Sequence, residues 1–542
     1  MLSYRKLAMR VLGRPLHTGR IDSPRPASQR AAAFILTAAM LTTLTAPAFA
    51  KEWYIEEGDI TVRAGETEGT NKVSQGENPE VEDTNTVITN SDKDKASSNT
   101  VTIEAKDKDD KVEVTLKDVN IDASSRSEAA VSVTGSGNTT ITLDGDNALK
   151  SDIYSSGISS SGSLTISGGE NDSLTAQGGS GADGIYSSGS LTISGGTVTA
   201  NGGSSGGGDG GDGIWSSGGV TISGGSTVTA NGGDGKDDYG GDGIRSDSGD
   251  VTISGGSTVT ANGGNGGNVS GDGIRSDSGD VTISGGTVKA AGGDSKDGYG
   301  GDGIRSGGVT ISGGTVNAAG GNGGKVGGYG ICSFARVAIS GGTVNAAGGN
   351  GKNSNGGSDG IISNDIDLSG SLELTAKAGR PNGKAISWAG HELDLDTIKD
   401  KLGPGAKVTT TDADGKVNQV SVPRPVEPEE SSSSSDGGSA TPSAPASPLP
   451  GLTVTDKDGQ RISYTSTQSG NTLTVCVGRL TASFRISLAA LRQLRAEGID
   501  TITFQTILCS TTLSVDELLA MGGEDAEAVL THRFTDSSLT VG

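Results

Sequence analysis

Aromatic residues make up only 3% of this 542-residue chain, and it contains three cysteines, three histidines and four methionines. Each scarcity removes a class of answer. Three cysteines do not make a disulfide framework, although Cys476 and Cys509 could pair in an exported protein and leave Cys332 over. His17, His391 and His532 are scattered, so no zinc cluster or Ser-His-Asp arrangement can be built on them. Hydrophobic content of 31% is too low for an ordinary globular core, because folding must offset about 1–2 kcal/mol of backbone entropy per residue. Basic residues are short as well, 42 against 65 acidic ones.

Two segments stand apart in composition. Residues 1–50 hold seven Lys/Arg, one acid, the apolar run 31–46 and the small residues Ala48-Phe49-Ala50, the pattern of a secretory signal peptide cut after Ala50. The apolar run is short for a bilayer span, so no membrane span is expected in the mature chain. Removing this leader leaves 35 basic and 64 acidic residues, a net charge of −29. Nucleic acid and anionic membranes are therefore unsuited as partners. Residues 423–450 carry half of the 14 prolines and a serine run, the composition of an extended, disordered linker.

What the chain has in excess is glycine, 92 residues, arranged in a repeat. The phrase GDGIRSDSGDVTISGG at 241–256 returns unchanged at 271–286. Its isoleucine recurs as Ile158, Ile185, Ile214, Ile244, Ile274, Ile304, Ile331 and Ile361, at intervals of 27 to 30 residues. A second column runs from Ile166 to Leu368 and a third from Leu174 to Leu374. Each unit has three short β-prone pieces, and in the last two apolar residues alternate with Thr or Ser, the period of a half-buried strand. Three strands in constant order can pair only with their counterparts in the next unit. The expected fold is all-β, a right-handed parallel β-helix with one unit per coil and Ile/Val columns inside. Length differences fall after the third strand, which puts the variable loops on one side of the coil.

The expected organisation is a signal peptide over 1–50, a cap with the first coils over 51–150, the Gly-rich coils over 151–378 and a C-terminal cap over 379–422. A short helix near 388–403 would close that end. The linker over 423–450 leads to a small α+β domain over 451–542, with a helix capped by Ser487 and a capping box at Ser514–Glu517.

The candidate site is a file of aspartates two residues before the repeat isoleucine: Asp183, Asp212, Asp242, Asp272 and Asp302, interrupted by Tyr329 and resumed at Asp359. Carboxylates stacked about 4.8 Å apart repel by roughly 1 kcal/mol per pair in water and about 3–4 kcal/mol at an effective dielectric of 20. Three arrangements relieve this. Calcium takes six to eight oxygens, and the loop residues Asp209, Asp234, Asp237, Asp238, Asp294 and Asp297 lie nearby in sequence. Arg245, Arg275 and Arg305, three residues after their aspartates, could bridge them. Or each Asp caps its own turn and points to solvent.

The pattern GDGI…VTISGGTVTANGG resembles the bacterial calcium-binding parallel β-helix family of carbohydrate-binding proteins, distantly akin to pectate lyases. The likeness covers roughly 51–400. It implies calcium at Asp183, Asp212, Asp242, Asp272, Asp302 and Asp359, and extracellular binding of a cellulose- or pectin-like polysaccharide or a cell-surface glycan. On the residues themselves, Tyr186 and Trp215 precede Arg245, Arg275 and Arg305 in one outward column, where sugar rings could stack, and Tyr239, Tyr299 and Tyr329 decorate the loops. The leading expectation is a secreted or cell-surface, non-catalytic, adhesin-like protein. The alternatives are a calcium-dependent polysaccharide lyase with Arg275 as base, and a purely structural stalk. Near-identical coils disfavour the lyase, since catalysis needs one distinct constellation.

Overall fold

The computed structural model describes residues 51–354, 356–423 and, with short gaps, 451–541. The leader, residues 424–450 of the linker and Cys509 lie outside the described residues. The chain divides into two compact units, Met1–Glu427 and Pro428–Gly542.

The first unit is a β-solenoid of about 13 turns. In the regular coils the first strand is three residues long, Ile214–Ser216, Ile244–Ser246 and Ile274–Ser276. The second follows at Val220–Ser223, Val251–Ile253 and Val281–Ile283, and the third at Thr227–Asn231, Thr258–Asn262 and Thr287–Ala291. Each pairs in parallel with its namesake in the next coil: Ile214 with Ile244, Ile244 with Ile274, Val251 with Val281, Val259 with Val288. The repeat isoleucines from Ile158 to Ile361 are fully buried and belong to one continuous core running from Trp53 to Val420. Shared columns let a thin, aromatic-poor chain bury its apolar residues without a globular interior.

Serine is one of two polar residues buried repeatedly along the coils, the other being aspartate. Serine ends the first strand of the regular coils, and its Oγ donates to a carbonyl in the corresponding turn of the preceding coil, Ser216 to Gly189 O at 2.8 Å, Ser276 to Gly249 O at 3.0 Å and Ser333 to Gly307 O at 2.7 Å. Paired in this way, a buried hydroxyl avoids the cost of an unsatisfied group.

The loops after the third strand also stack. Bridges link Ser205, Gly235, Gly266, Ser295, Gly323 and Gly351 in one row and Tyr239, Val269, Tyr299 and Val326 in another. The glycines here are steric requirements: a Cβ on Gly271 would lie 1.8 Å from the Gly241 carbonyl oxygen.

The two ends of the solenoid are antiparallel. At the N-terminus Ile60–Ala64, Asn71–Gln75 and Val81–Asp83 form a meander, and the Trp53 Nε1 donates to Asp83 at 2.7 Å. At the other end Lys407–Thr411 adds in parallel to Glu373–Lys377 and is covered by Val417–Ser421 in an antiparallel hairpin. The helix expected near 388–403 is absent. That stretch forms a short pairing of Trp388 with His391 and two 3₁₀ turns, Leu395–Thr397 and Lys399–Lys401. Asp394 accepts from Asp396 N at 3.0 Å and starts the first turn, and Gly403-Pro404 stops the run before an α-helix can propagate. The edge is closed by strand pairing, which satisfies backbone groups that a helix would leave open.

Among the described residues the second unit has two four-stranded sheets, two helices, Leu488–Ala496 and Val515–Ala520, and a core centred on Phe484 and Phe504 with ring centroids 4.9 Å apart. Ser487 Oγ accepts from Ala490 N at 3.2 Å, the expected N-cap. Cys476 is a free thiol that contacts Gln505 Oε1 at 3.4 Å.

A pair of glycine substitutions tests the stacking. Gly271→Ala is expected to cost about 1–3 kcal/mol by overpacking, whereas Gly285→Ala, whose Cβ would meet nothing within 4 Å, is expected to be neutral or slightly stabilising; urea unfolding followed by circular dichroism separates the two.

Candidate functional site

The aspartate file is an interior feature of the corner where each loop returns to the first strand. Asp183, Asp212, Asp242, Asp272 and Asp302 are only 5–9% exposed. Each Oδ1 accepts the backbone N–H of its counterpart one coil on: Asp212 N to Asp183 at 2.8 Å, Asp242 N to Asp212 at 2.5 Å, Asp272 N to Asp242 and Asp302 N to Asp272 at 2.6 Å. Tyr329 N donates to Asp302 at 2.6 Å and Lys384 N to Asp359 at 2.7 Å. The solvent-facing turn cap is thereby corrected. The side chain binds the backbone of the next coil, because equivalent positions are closer in space than sequence neighbours in the turn.

Burial and stacking move these groups far from ordinary aspartate behaviour. Burial raises Asp183 and Asp302 to about 6. Burial, reinforced by the next carboxylate in the file, raises Asp242 and Asp272 to about 7, with Arg275 and the accepted N–H pulling the other way. Asp212 is raised well above its usual value by burial and by both its neighbours.

The arginines stand beside the file and are themselves anchored. Arg275 Nη1 lies 3.8 Å from Asp242 Oδ2 and 4.0 Å from Asp272 Oδ2, while its Nε donates to Asp277 at 2.7 Å. Arg245 donates to Asp247 at 3.1 Å and to Asp277 at 3.0 Å, and Arg305 lies 3.9 Å from Asp302. Of the three expected arginine bridges, Arg275 spans two carboxylates of the file and Arg305 approaches one, whereas the ion pairs of Arg245 are with Asp247 and Asp277. Those two residues were legible in the repeated Arg-Ser-Asp phrase but carried no weight without the knowledge that they share a face with the arginine.

Calcium does not fit this donor set. Each aspartate commits one oxygen to a backbone N–H, the carboxylates lie in single file, and a calcium ion requires six to eight oxygens around one point. Among the described residues no three His, Cys, Asp or Glu side chains are grouped to hold a metal. Of the loop acids, Asp209, Asp234 and Asp294 form ladders of the same kind, accepting from Tyr239 N at 3.2 Å, Asn265 N at 2.7 Å and Asn322 N at 2.6 Å. The ladder Asp234–Asn265–Asp294–Asn322–Asn350 was missed in the sequence, although an Asp or Asn two residues into each Gly-Gly loop was its visible signal.

The outward column beside the file is in register, Tyr186 with Trp215, Trp215 with Arg245, and Arg245 with Arg275. The Tyr186 and Trp215 rings meet edge to face, centroids 5.2 Å apart at 76°. Arg245 Cζ lies 5.2 Å from the Trp215 ring, and at the far end Arg305 Cζ lies 5.3 Å from Phe334. Tyr154, 84% exposed, joins Tyr186 and Trp215 around an open groove of about 550 Å³ that also takes in Ser155, Ser156, Ser159 and Glu128. Trp215 Nε1 is buried with no hydrogen-bond partner among the described residues.

Four stretches of the chain, 191–214, 220–244, 281–304 and 309–331, match the beta helix repeat. This is a parallel β-helix repeat protein. Each match runs from the second strand of a coil, through the third, to the first strand of the next. No curated protein and no solved structure matches the chain significantly. Among the described residues no helix is long and apolar enough to cross a membrane.

The file makes stability depend on pH. Its folded-state pKa values lie above the ordinary aspartate value, so its contribution is complete below about pH 4 and is lost as pH rises through 6–7. The solenoid is expected to melt at a higher temperature at pH 5 than at pH 8. Asp242→Asn with Asp272→Asn, which keeps both acceptors and removes both charges, is expected to recover a few kcal/mol at pH 8 and to flatten the pH profile. Adding calcium to chelator-treated protein is expected to leave the melting temperature unchanged in the same scans.

Proposed function

We propose that this β-helix is a secreted or cell-surface, non-catalytic polysaccharide-binding protein of adhesin type. The observation that carries the reading is the convergence of Tyr154, Tyr186 and Trp215 on the hydroxyl-lined groove at the start of the arginine column. Sugar rings present apolar C–H faces and a rim of hydroxyls. Aromatic rings set among serine hydroxyls match both features. The negative charge of the chain favours a neutral glycan over an acidic one.

A polysaccharide lyase would need a base beside a bound uronate. Arg275 is poorly suited to that role. Burial alone would lower its pKa, but the carboxylates of Asp242, Asp272 and Asp277 outweigh this and raise it, so it stays protonated. Repeated coils also offer the same surface several times over, which suits a polymer more than a single reacting bond.

Trp215→Ala and Tyr186→Ala are each expected to weaken binding of the preferred polysaccharide about tenfold, a loss of about 1.4 kcal/mol, in a glycan array followed by calorimetry. Incubation with polygalacturonate is expected to give no unsaturated product in ultraviolet absorbance; its appearance would overturn the non-catalytic reading.

A further inference from the structure

The aspartate file and the column beside it do not match along their whole length. In the later coils the file meets arginine: Arg275 lies 3.8 Å from Asp242 and 4.0 Å from Asp272, and Arg305 lies 3.9 Å from Asp302. In the first two coils the same column holds Tyr186 and Trp215, in register with Arg245. Among the described residues no basic side chain forms an ion pair with Asp183 or Asp212. The ion pairs of Arg245 go to Asp247 and Asp277, and it attracts Asp183 and Asp212 only from further away. Asp183 Oδ1 accepts from Asp212 N, and the same side chain lines the groove of Tyr154, Tyr186 and Trp215. The file thus begins with a buried carboxylate, set among three aromatic side chains, where the protein places no cation of its own.

From this mismatch we infer that the groove binds a protonated amino group, carried by a polysaccharide with unacetylated amino sugars, in the place that arginine takes in later coils. The inference rests on the polysaccharide-binding reading above and adds to it the charge and class of the glycan. Ring faces and a carboxylate together suit a cation, the rings through their quadrupoles and the carboxylate through its full charge. The repeat holds its own precedent, since Arg245 Cζ lies 5.2 Å from the Trp215 ring. That contact and the edge-to-face packing on Tyr186 occupy much of the indole. The open ring is that of Tyr154, 84% exposed. Its backbone is left-handed, φ 62°, a conformation that residues other than glycine rarely adopt and that clusters where ligands are clamped. No lysine or arginine lines the groove. Its other carboxylate, Glu128, is already paired with Arg126 at 3.2 Å, so Asp183 is the partner left for the ligand's charge. Ser155, Ser156 and Ser159 line the groove beside it and offer hydroxyls to the rest of the sugar.

Calorimetry of the full chain with a glucosamine hexamer and with the same hexamer N-acetylated tests this, in mildly acidic buffer where the free amines are charged. Physiological salt screens the diffuse attraction of an acidic chain for any cation. The glucosamine hexamer is expected to bind at least about tenfold more tightly than its N-acetylated counterpart. Asp183→Asn keeps the oxygen that accepts from Asp212 N and removes the charge. It is expected to lower glucosamine-hexamer affinity about tenfold and to leave that of the N-acetylated hexamer unchanged. Trp215→Arg continues the arginine column by one coil and is expected to weaken the glucosamine hexamer more than Trp215→Ala does. Thermal unfolding checks that each variant is folded. A preference for the charged hexamer that survives unchanged in both Asp183→Asn and Trp215→Arg would overturn the inference. Tighter binding of a hexa-arginine peptide than of the glucosamine hexamer, lost in Asp183→Asn, would overturn the glycan class in favour of a basic peptide. If the N-acetylated hexamer binds as tightly and Trp215→Ala weakens both, this inference falls and the wider reading stands; if no glycan binds the unaltered chain, both fall.

Discussion

Parallel pairing between equivalent positions of successive coils is the constraint from which everything else in the solenoid derives. Ile214, Ile244 and Ile274 lie directly over one another, and so do the serines, aspartates and loop residues that flank them. Strand spacing sets the separation at about 4.8 Å for every kind of side chain. An apolar residue gains from this, because it buries itself against a copy of itself. Glycine at the return corners permits it, since the coils approach too closely there for a Cβ. A charged residue loses by it. The same register that makes the core makes the electrostatic problem.

The aspartate file shows how the problem is met. Each carboxylate accepts the N–H of the next residue in the file, so the backbone supplies one partial positive charge per coil. The arginine column supplies full charges at 3.8–4.0 Å. Burial then favours the protonated form, raising the middle members to about 7. These three effects act on the same groups and need no metal. Asparagine could make the same hydrogen bond without the charge, and does so at Asn265 in the neighbouring ladder. That asparagine ladder is exposed, whereas the aspartates are buried where the arginines can reach them.

Much of the solenoid was legible in the sequence because its signals are one-dimensional. The spacing of the Gly-Ile pairs places the coils, and the alternation of Val-Thr-Ile-Ser places the second strand. The outward column Tyr186, Trp215, Arg245, Arg275 was readable for the same reason, being a register fact. Depth was not legible. Nothing in Gly-Asp-Gly-Ile says that the aspartate points inward, and that depends on how sharply the loop returns. The partners of the arginines were equally hidden, since Asp247 and Asp277 become neighbours only through the turn after the first strand. The C-terminal cap failed as a helix because the open sheet edge beside it exerts a tertiary demand that local propensity does not contain.

A structure made of copies binds best to a ligand made of copies. One coil offers a single ring, hydroxyl or guanidinium, too little for useful affinity. Several in a row engage a polymer together, and each added contact acts at high effective concentration. Repetition has a further consequence for how function is marked. Where the coils are identical, no position is distinguished, so selectivity must come from departures from the repeat. The departures in this chain are aromatic: Tyr186 and Trp215 where later coils have arginine, and Tyr239 and Tyr299 where the alternating coils have valine. In a chain with 3% aromatics, placing four of them on the outer face of in-register rows spends scarce residues where they add nothing to the core. On the proposed polysaccharide-binding reading, that allocation is what would fit the regular scaffold to an extended, apolar-faced polymer.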